Sequence, residues 1–106
     1  MNTRAVAALL LQKVLADHQS LTEVLQSKSL QTLDVRDQSL VRDLCFGALR
    51  WHERLSAILK ILLSKPLKSA DRDIECVLRI GLYQLIYQRT PEHACVNESV
   101  NAVRQL

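Results

Sequence analysis

Apolar residues recur every three or four positions along most of the chain, which is the spacing of one face of an α-helix. No stretch alternates apolar and polar residues as a half-buried strand would, and no internal repeat is visible. We therefore predict an all-α domain, a bundle of five to six helices. The predicted helices cover residues 3–17, 21–26, 35–63 with a break near Trp51, 71–89, and a last segment from Ala94.

Polar residues ahead of three of these segments are typical of N-caps, whose side-chain oxygens accept hydrogen bonds from free backbone N–H groups. Asn2 or Thr3 would cap the first helix, and Asp34 would cap the long one. Ser20 begins a capping-box pattern ahead of the short second helix. The polar stretch 27–33 is predicted as a loop.

The chain has two glycines, Gly47 and Gly81, and both fall inside predicted helices. Glycine costs roughly 1 kcal/mol relative to alanine in a helix, so a neighbouring helix that approaches closely best explains both positions. Arg79 and Glu98 lie on apolar segments of the last two helices, and buried polar groups need partners. We predict that Arg79 and Glu98 form an ion pair that joins these two helices.

Length and composition agree with one domain over residues 1–106. Hydrophobic residues make up 48% of the chain, which argues against disorder. No apolar stretch approaches the roughly 18 residues of a membrane span, and no signal-peptide pattern is present. We expect a cytoplasmic protein that does not insert into membranes.

Residue patterns of catalytic and metal sites are absent from the sequence. The three cysteines, Cys45, Cys76 and Cys95, form no CxxC pair, and the three histidines show no ligand spacing. There is no glycine-rich phosphate loop, no GxSxG and no HExxH. We expect no catalytic residue, no metal and no cofactor in this chain.

The charge balance is moderately basic, with 14 lysines and arginines against 11 acids and a formal net charge of +3. Such a balance is a weak indication of nucleic-acid binding. The acids Asp37, Asp43 and Glu53 are interspersed on the long helical segment, so ordinary pairing within a solvated helix face is the alternative. The candidate phosphate contacts are Arg4, Lys13, Arg36, Arg42, Arg50 and Arg54.

Two blocks of the sequence resemble a known family. DLCFGALRW at 43–51, and the run at 78–98 that contains GLYQL and HACVNE, resemble the NusB-like RNA-binding fold. The first block favours the branch that forms the N-terminal domain of the 16S rRNA cytosine-5 methyltransferase B family over free-standing NusB antitermination factors. The resemblance covers the whole chain, although the family's helical domain normally continues for one or two more helices after the position of Leu106.

The resemblance implies an N-terminal fragment, without the final helices of the family domain, that targets 16S rRNA to a separate catalytic domain. In such enzymes the catalytic domain binds S-adenosylmethionine and supplies two catalytic cysteines, and no residue of this chain matches those motifs. The resemblance therefore implies that RNA and the protein's own catalytic domain are the partners, and that the chain alone is not an enzyme. The resemblance also implies that the six cationic residues are those nearest to the family's RNA-binding surface. Apolar surface exposed on a shortened last helix would favour dimerisation of the fragment.

Two alternatives stay open at this point. The chain could be a free-standing NusB-type antitermination factor that binds RNA together with a ribosomal protein. It could also be a helical protein–protein adaptor with no nucleic-acid role. The gene sequence beyond Leu106 separates the first alternative from the methyltransferase, and salt-dependent RNA binding separates the adaptor from both.

Overall fold

The structure, a computed structural model, describes residues 2–106 as seven α-helices and one 3-10 turn. The α-helices are α1 (Thr3–Leu15), α2 (Leu21–Val24), α3 (Lys28–Gln31), α4 (Val35–Arg50), α5 (His52–Leu62), α6 (Arg72–Ile86) and α7 (Glu92–Arg104). The 3-10 turn, Ser69–Asp71, leads into α6. The predicted all-α fold is confirmed. There is one helix more than the five or six predicted, because the stretch predicted as a loop contains the four-residue α3.

Local sequence sets the start of each early helix. The side chains of Asn2, Ser20 and Asp34 accept hydrogen bonds from backbone N–H groups in the first turns of α1, α2 and α4, as predicted. Ser27 does the same for α3. The sequence pattern missed this helix because Leu30 is its one apolar residue and its one buried residue.

The long helical segment breaks at Trp51, as predicted. The backbone of Trp51 has a φ of −104° and a ψ of 19°, which ends α4, and α5 begins at the next residue. The Trp51 ring stacks on Tyr87, just after α6, with ring centroids 4.4 Å apart and an interplanar angle of 10°. The break allows α4 and α5 to pack separately against α6.

The central element of the bundle is α1, which packs against α2, α4, α6 and α7. Its Ala5, Ala7 and Ala8 are completely buried, and such small side chains let several helices approach the same segment. The surrounding helices add large apolar side chains to this core. The largest fully buried side chains are Leu10 and Leu11 of α1 itself and, from the surrounding helices, Leu30, Leu44, Leu55 and Ile80.

The last two helices are joined by a tight turn. Arg89 adopts the left-handed conformation with a φ of 52°, so the chain reverses after α6 ends at Ile86. The backbone N–H of Thr90 donates to the carbonyl of Gln84 at 3.0 Å and closes this turn. Consequently α6 is shorter than predicted, and α7 begins at Glu92 rather than near Ala94.

An apolar groove of about 310 Å³ lies between α5, α6 and α7. Gly81 lines this groove together with Leu62, Leu85, Val96 and Val100, and these four larger side chains are exposed. Within residues 2–106, no helix is both long enough and apolar enough to cross a membrane.

Candidate nucleic-acid interface

The six cationic residues predicted to contact phosphates are distributed over three helices. They are Arg4 and Lys13 on α1, Arg36, Arg42 and Arg50 on α4, and Arg54 on α5. Five of the six are exposed, and Arg4 is the exception. The set is therefore divided among α1, α4 and α5.

Arg4 is engaged inside the protein. Its guanidinium lies 3.4 Å from the Glu98 carboxylate on α7 and donates to the Gln84 side chain on α6 at 3.4 Å. The Arg4 side chain is only 18% exposed. These contacts join α1 to the last two helices, so we leave Arg4 out of the candidate interface.

The predicted ion pair between Arg79 and Glu98 is wrong. Arg79 pairs with Glu75, one turn earlier on α6, at 2.6 Å, and it donates to the hydroxyl of Ser56 on α5 at 3.2 Å. Glu98 pairs with Arg4 instead. The physical reason is that α7 packs against α1 as well as α6, while an i,i+4 partner reaches Arg79 without any alignment of two helices.

Both glycines lie at helix–helix contacts. A Cβ atom at Gly47 would overlap the ring of Tyr83, which α6 presents to α4. At Gly81 the added Cβ would lie 3.0 Å from the hydroxyl oxygen of Ser99 on α7. In both cases the nearest neighbour is a side chain rather than the backbone of the other helix. Gly47 thus makes room for a buried aromatic ring.

The exposed face of α4 brings Arg42 and Arg50 together. They are separated by two helical turns, with Phe46 midway between them, so the three side chains follow one another along one side of the helix. Phe46 is 57% exposed. Arg36 lies in the first turn of the same helix and is also exposed. Phe46 was not among the residues predicted from the sequence, although its i,i+4 spacing from both arginines is visible there.

The arginines on this face are free of acidic partners. Within the described part of the chain the only two ion pairs are those of Arg4 and Arg79. Asp43, the acid on the same face, accepts hydrogen bonds from the Tyr83 hydroxyl at 3.3 Å and from the Gln88 side chain. Its carboxylate is therefore held towards α6, and burial together with this carboxylate raises the pKa of Tyr83.

The joint between α4 and α5 adds Arg54 to the cations of this region. Residues 49–54 line a shallow pocket of about 480 Å³, which Arg50 and Arg54 share. The guanidinium carbon of Arg50 lies 5.5 Å from the centre of the Trp51 ring, within the range of a cation–π contact. The stacking of Trp51 on Tyr87 fixes the orientation of the Trp51 ring, which Arg50 contacts.

Another pocket, of about 550 Å³, is lined by residues of α1, α5 and α6. Glu75, the acid that lines this pocket, forms an ion pair with Arg79. Burial, reinforced by the nearby Arg79 charge, lowers the pKa of His52 in this pocket, which favours a neutral imidazole. In residues 2–106 no group of three or more His, Cys, Asp or Glu side chains is placed to hold a metal ion.

Comparisons with known proteins agree with this architecture. The model of the NusB family matches residues 1–106. Over 106 residues the chain is 45% identical to ribosomal RNA small subunit methyltransferase B of Pseudomonas syringae pv. tomato and 43% identical to that of Pseudomonas putida. It is 41% identical to the probable ribosomal RNA small subunit methyltransferase B of Coxiella burnetii.

Each alignment includes 100% of this chain but only 23%, 24% and 23% of the respective relative. The chain thus spans about a quarter of the length of these relatives. The helical architecture and the match over the full sequence lead to one conclusion: the chain belongs to the NusB family.

Proposed function

We propose that this chain is the RNA-binding domain that targets a longer rRNA cytosine-5 methyltransferase to 16S rRNA. The observation that carries the proposal is the exposed face of α4, where Arg42 and Arg50 have no acidic partner in a domain of the NusB family. The relatives, named as small-subunit rRNA methyltransferases, support this function over a free-standing antitermination factor.

The contribution of this domain would be positional. Arginine contacts to phosphates fix the orientation of an RNA without reading its sequence, so selection of one cytosine would depend on the rest of the protein. Linking the two parts in one polypeptide raises the effective concentration of the catalytic part at its target. A role on ribosomal RNA implies a cytoplasmic location.

S-adenosylmethionine would be bound outside this chain. Gly47 and Gly81 both lie within helices, so the described residues offer no glycine-rich loop to receive a nucleoside cofactor. We therefore assign this cofactor and the methyl transfer itself to the remainder of the longer protein. Calorimetric titration of the chain with S-adenosylmethionine is expected to show no binding, and measurable binding would contradict this assignment.

The central test is the salt dependence of RNA binding. The double variant Arg42→Gln/Arg50→Gln should bind a small-subunit rRNA hairpin more weakly than the wild type. It should also reduce the slope of log affinity against log salt by about 1.4, because each single-stranded phosphate contact contributes roughly 0.7. Fluorescence anisotropy at several salt concentrations measures both quantities.

The matched control is Lys65→Gln/Lys68→Gln, which removes the same charge from exposed residues of the α5–α6 connection. This control should keep the wild-type slope. An equal loss in both double variants would mean that binding depends on net charge rather than on the α4 face. Absence of RNA binding by the wild type at low salt would overturn the proposal and favour the protein–protein adaptor.

A further inference from the structure

Phe46 is the only phenylalanine of the chain, and the structure leaves it 57% exposed near the middle of α4. Single exposed apolar side chains are ordinary on protein surfaces and need no explanation by themselves. The other rings have packing partners, since Trp51 and Tyr83 both stack on Tyr87. Phe46 is therefore the aromatic side chain available to a ligand.

The immediate neighbours of Phe46 make the position unusual. Arg42 lies one turn before it and Arg50 one turn after it, about 6 Å away along the helix axis in each direction. Neither arginine pairs with an acid among residues 2–106. We call these three residues the Arg–Phe–Arg face.

Asp43, the acid of α4 nearest to Phe46 in the sequence, is already engaged. Asp43 lies one turn from Phe46, and Tyr83 and Gln88 both donate hydrogen bonds to its carboxylate. These donors belong to α6 and the turn after it, and Asp43 forms no ion pair with Arg42 or Arg50 among residues 2–106. The Arg–Phe–Arg face therefore offers two available cationic groups with an aromatic ring between them.

This combination matches the chemistry of unpaired RNA. An unpaired nucleotide presents a flat base that stacks on aromatic rings, with anionic phosphates on either side. In a duplex the faces of the bases are covered by their neighbours, and a side chain such as Phe46 has no base to stack on. A purely apolar partner would leave both arginines without a counter-charge.

We propose that the Arg–Phe–Arg face binds an unpaired segment of RNA, with Phe46 stacked on one base and Arg42 and Arg50 on the flanking phosphates. The inference rests on the proposed function and deepens it, because it names the form of RNA that this surface takes. Arg50 reaches the segment from its position over Trp51, so binding should also change the fluorescence of this single tryptophan.

The test compares variants that separate stacking from simple apolar contact. Phe46→Ala and Phe46→Leu should weaken binding to a single-stranded RNA oligonucleotide roughly five- to hundredfold, the effect of losing one stacked base. Phe46→Tyr, which keeps a ring, should bind within about twofold of the wild type. The salt slope should stay unchanged in all three variants, because no phosphate contact is removed.

Two controls complete the design. An abasic oligonucleotide, which keeps the ribose and phosphate but lacks bases, should bind equally to the wild type and to Phe46→Ala. Val35→Ala removes another exposed apolar side chain of α4, 79% accessible, and should leave RNA affinity unchanged. Melting curves by circular dichroism verify that each variant is folded.

The outcomes distinguish this inference from the function on which it rests. Three results would each overturn the stacking role of Phe46. Phe46→Leu could bind the oligonucleotide with wild-type affinity, or Phe46→Ala could lose as much affinity for the abasic oligonucleotide as for the intact one. The third result is that the wild type binds a duplex as tightly as a single strand. If RNA binding depends on salt but its affinity is unchanged by every Phe46 substitution, this inference alone is overturned. A wild type that binds no RNA at low salt would overturn both.

Discussion

Gly47 lies against the ring of Tyr83, where even a methyl group would overlap the ring atoms. Tyr83 is not free to move aside, because it is buried, donates its hydroxyl to Asp43 and packs on Tyr87 with centroids 5.9 Å apart. We expect Gly47→Ala to lower the free energy of unfolding by about 1–3 kcal/mol, despite the higher helix propensity of alanine. Urea denaturation measures the change.

Gly81→Ala is the matched control, because its Cβ would meet only the hydroxyl oxygen of Ser99, at 3.0 Å. The end of a serine side chain can rotate away. This variant should therefore be close to neutral, or more stable by up to about 1 kcal/mol. Equal stability of the two alanine variants would contradict the packing explanation for Gly47.

Two buried thiols make stability depend on pH in the alkaline range. Burial, with a smaller effect of the neighbouring Cys76, raises the pKa of Cys45 from 9.0 to about 12. Burial likewise raises the pKa of Cys76 to about 11. In the unfolded chain these thiols ionise at lower pH, so the unfolded state binds fewer protons and stability falls as pH rises. The stability that the protonated thiol contributes is fully present below about pH 9, the pKa of the thiol in the unfolded chain. It is lost as the pH rises from about 9 to 12.

We expect the loss of one thiol to change the slope of the free energy of unfolding against pH. Cys45→Ala should lose less stability than the wild type between about pH 8 and 10, because one of the titrating thiols is gone. Urea denaturation at a series of pH values measures both slopes. Parallel curves for the two proteins would show that Cys45 does not contribute to the pH dependence.

At the level of helices, one ion pair lies within α6 and another joins α1 to α7, and they differ in length and exposure. The Arg79–Glu75 pair is short, at 2.6 Å, and its side chains are 11% and 17% exposed. The Arg4–Glu98 pair is longer, at 3.4 Å, with 18% and 40% exposure. Screening by water weakens an exposed pair, so the interaction within α6 should exceed the one that joins α1 to α7.

Double-mutant cycles test this order. The cycle of Arg79→Met with Glu75→Gln should give a coupling above about 1 kcal/mol, and that of Arg4→Met with Glu98→Gln below about 1 kcal/mol. A third cycle, Arg79→Met with Glu98→Gln, should give no coupling, because these residues have different partners. A substantial coupling in the third cycle would restore the ion pair predicted from sequence.

The helices themselves were predictable because their signals are local. Caps such as Asp34 and the break at Trp51 depend on a few neighbouring residues, which the sequence displays directly. The partner of Glu98 was not predictable, since it depends on α7 packing against α1, and Arg4 lies 94 positions away from Glu98 along the chain. The four-residue α3 was missed because so short a helix has almost no periodicity.

The candidate interface was partly predictable for the same reason. Exposure of Arg42 and Arg50 follows from the helical period of α4, and the same period places Phe46 on the exposed face between them. The sequence could not show that Asp43 is held by Tyr83, because this contact joins residues 40 positions apart on two different helices. This contact engages the acid that directly follows Arg42 in the sequence.

For the whole molecule, the chain represents about a quarter of the length of its relatives. Under the proposed function, the Arg–Phe–Arg face is one of two RNA-contacting parts in a single longer protein. Contacts made equally in the bound substrate and in the transition state lower KM and leave kcat unchanged. A domain that only positions the RNA should therefore affect KM.

The proposed positioning role can be measured in the longer methyltransferase. Arg42→Gln/Arg50→Gln in that protein should raise KM for small-subunit rRNA about tenfold and leave kcat within about twofold, because the lost contacts are uniform binding. A short hairpin that carries the target cytosine but cannot reach the domain should react equally with variant and wild type. The matched double variant at Lys65 and Lys68 should keep the wild-type KM. A fall in kcat at unchanged KM would instead show that the α4 face acts in the chemical step, and the positioning role would have to be abandoned.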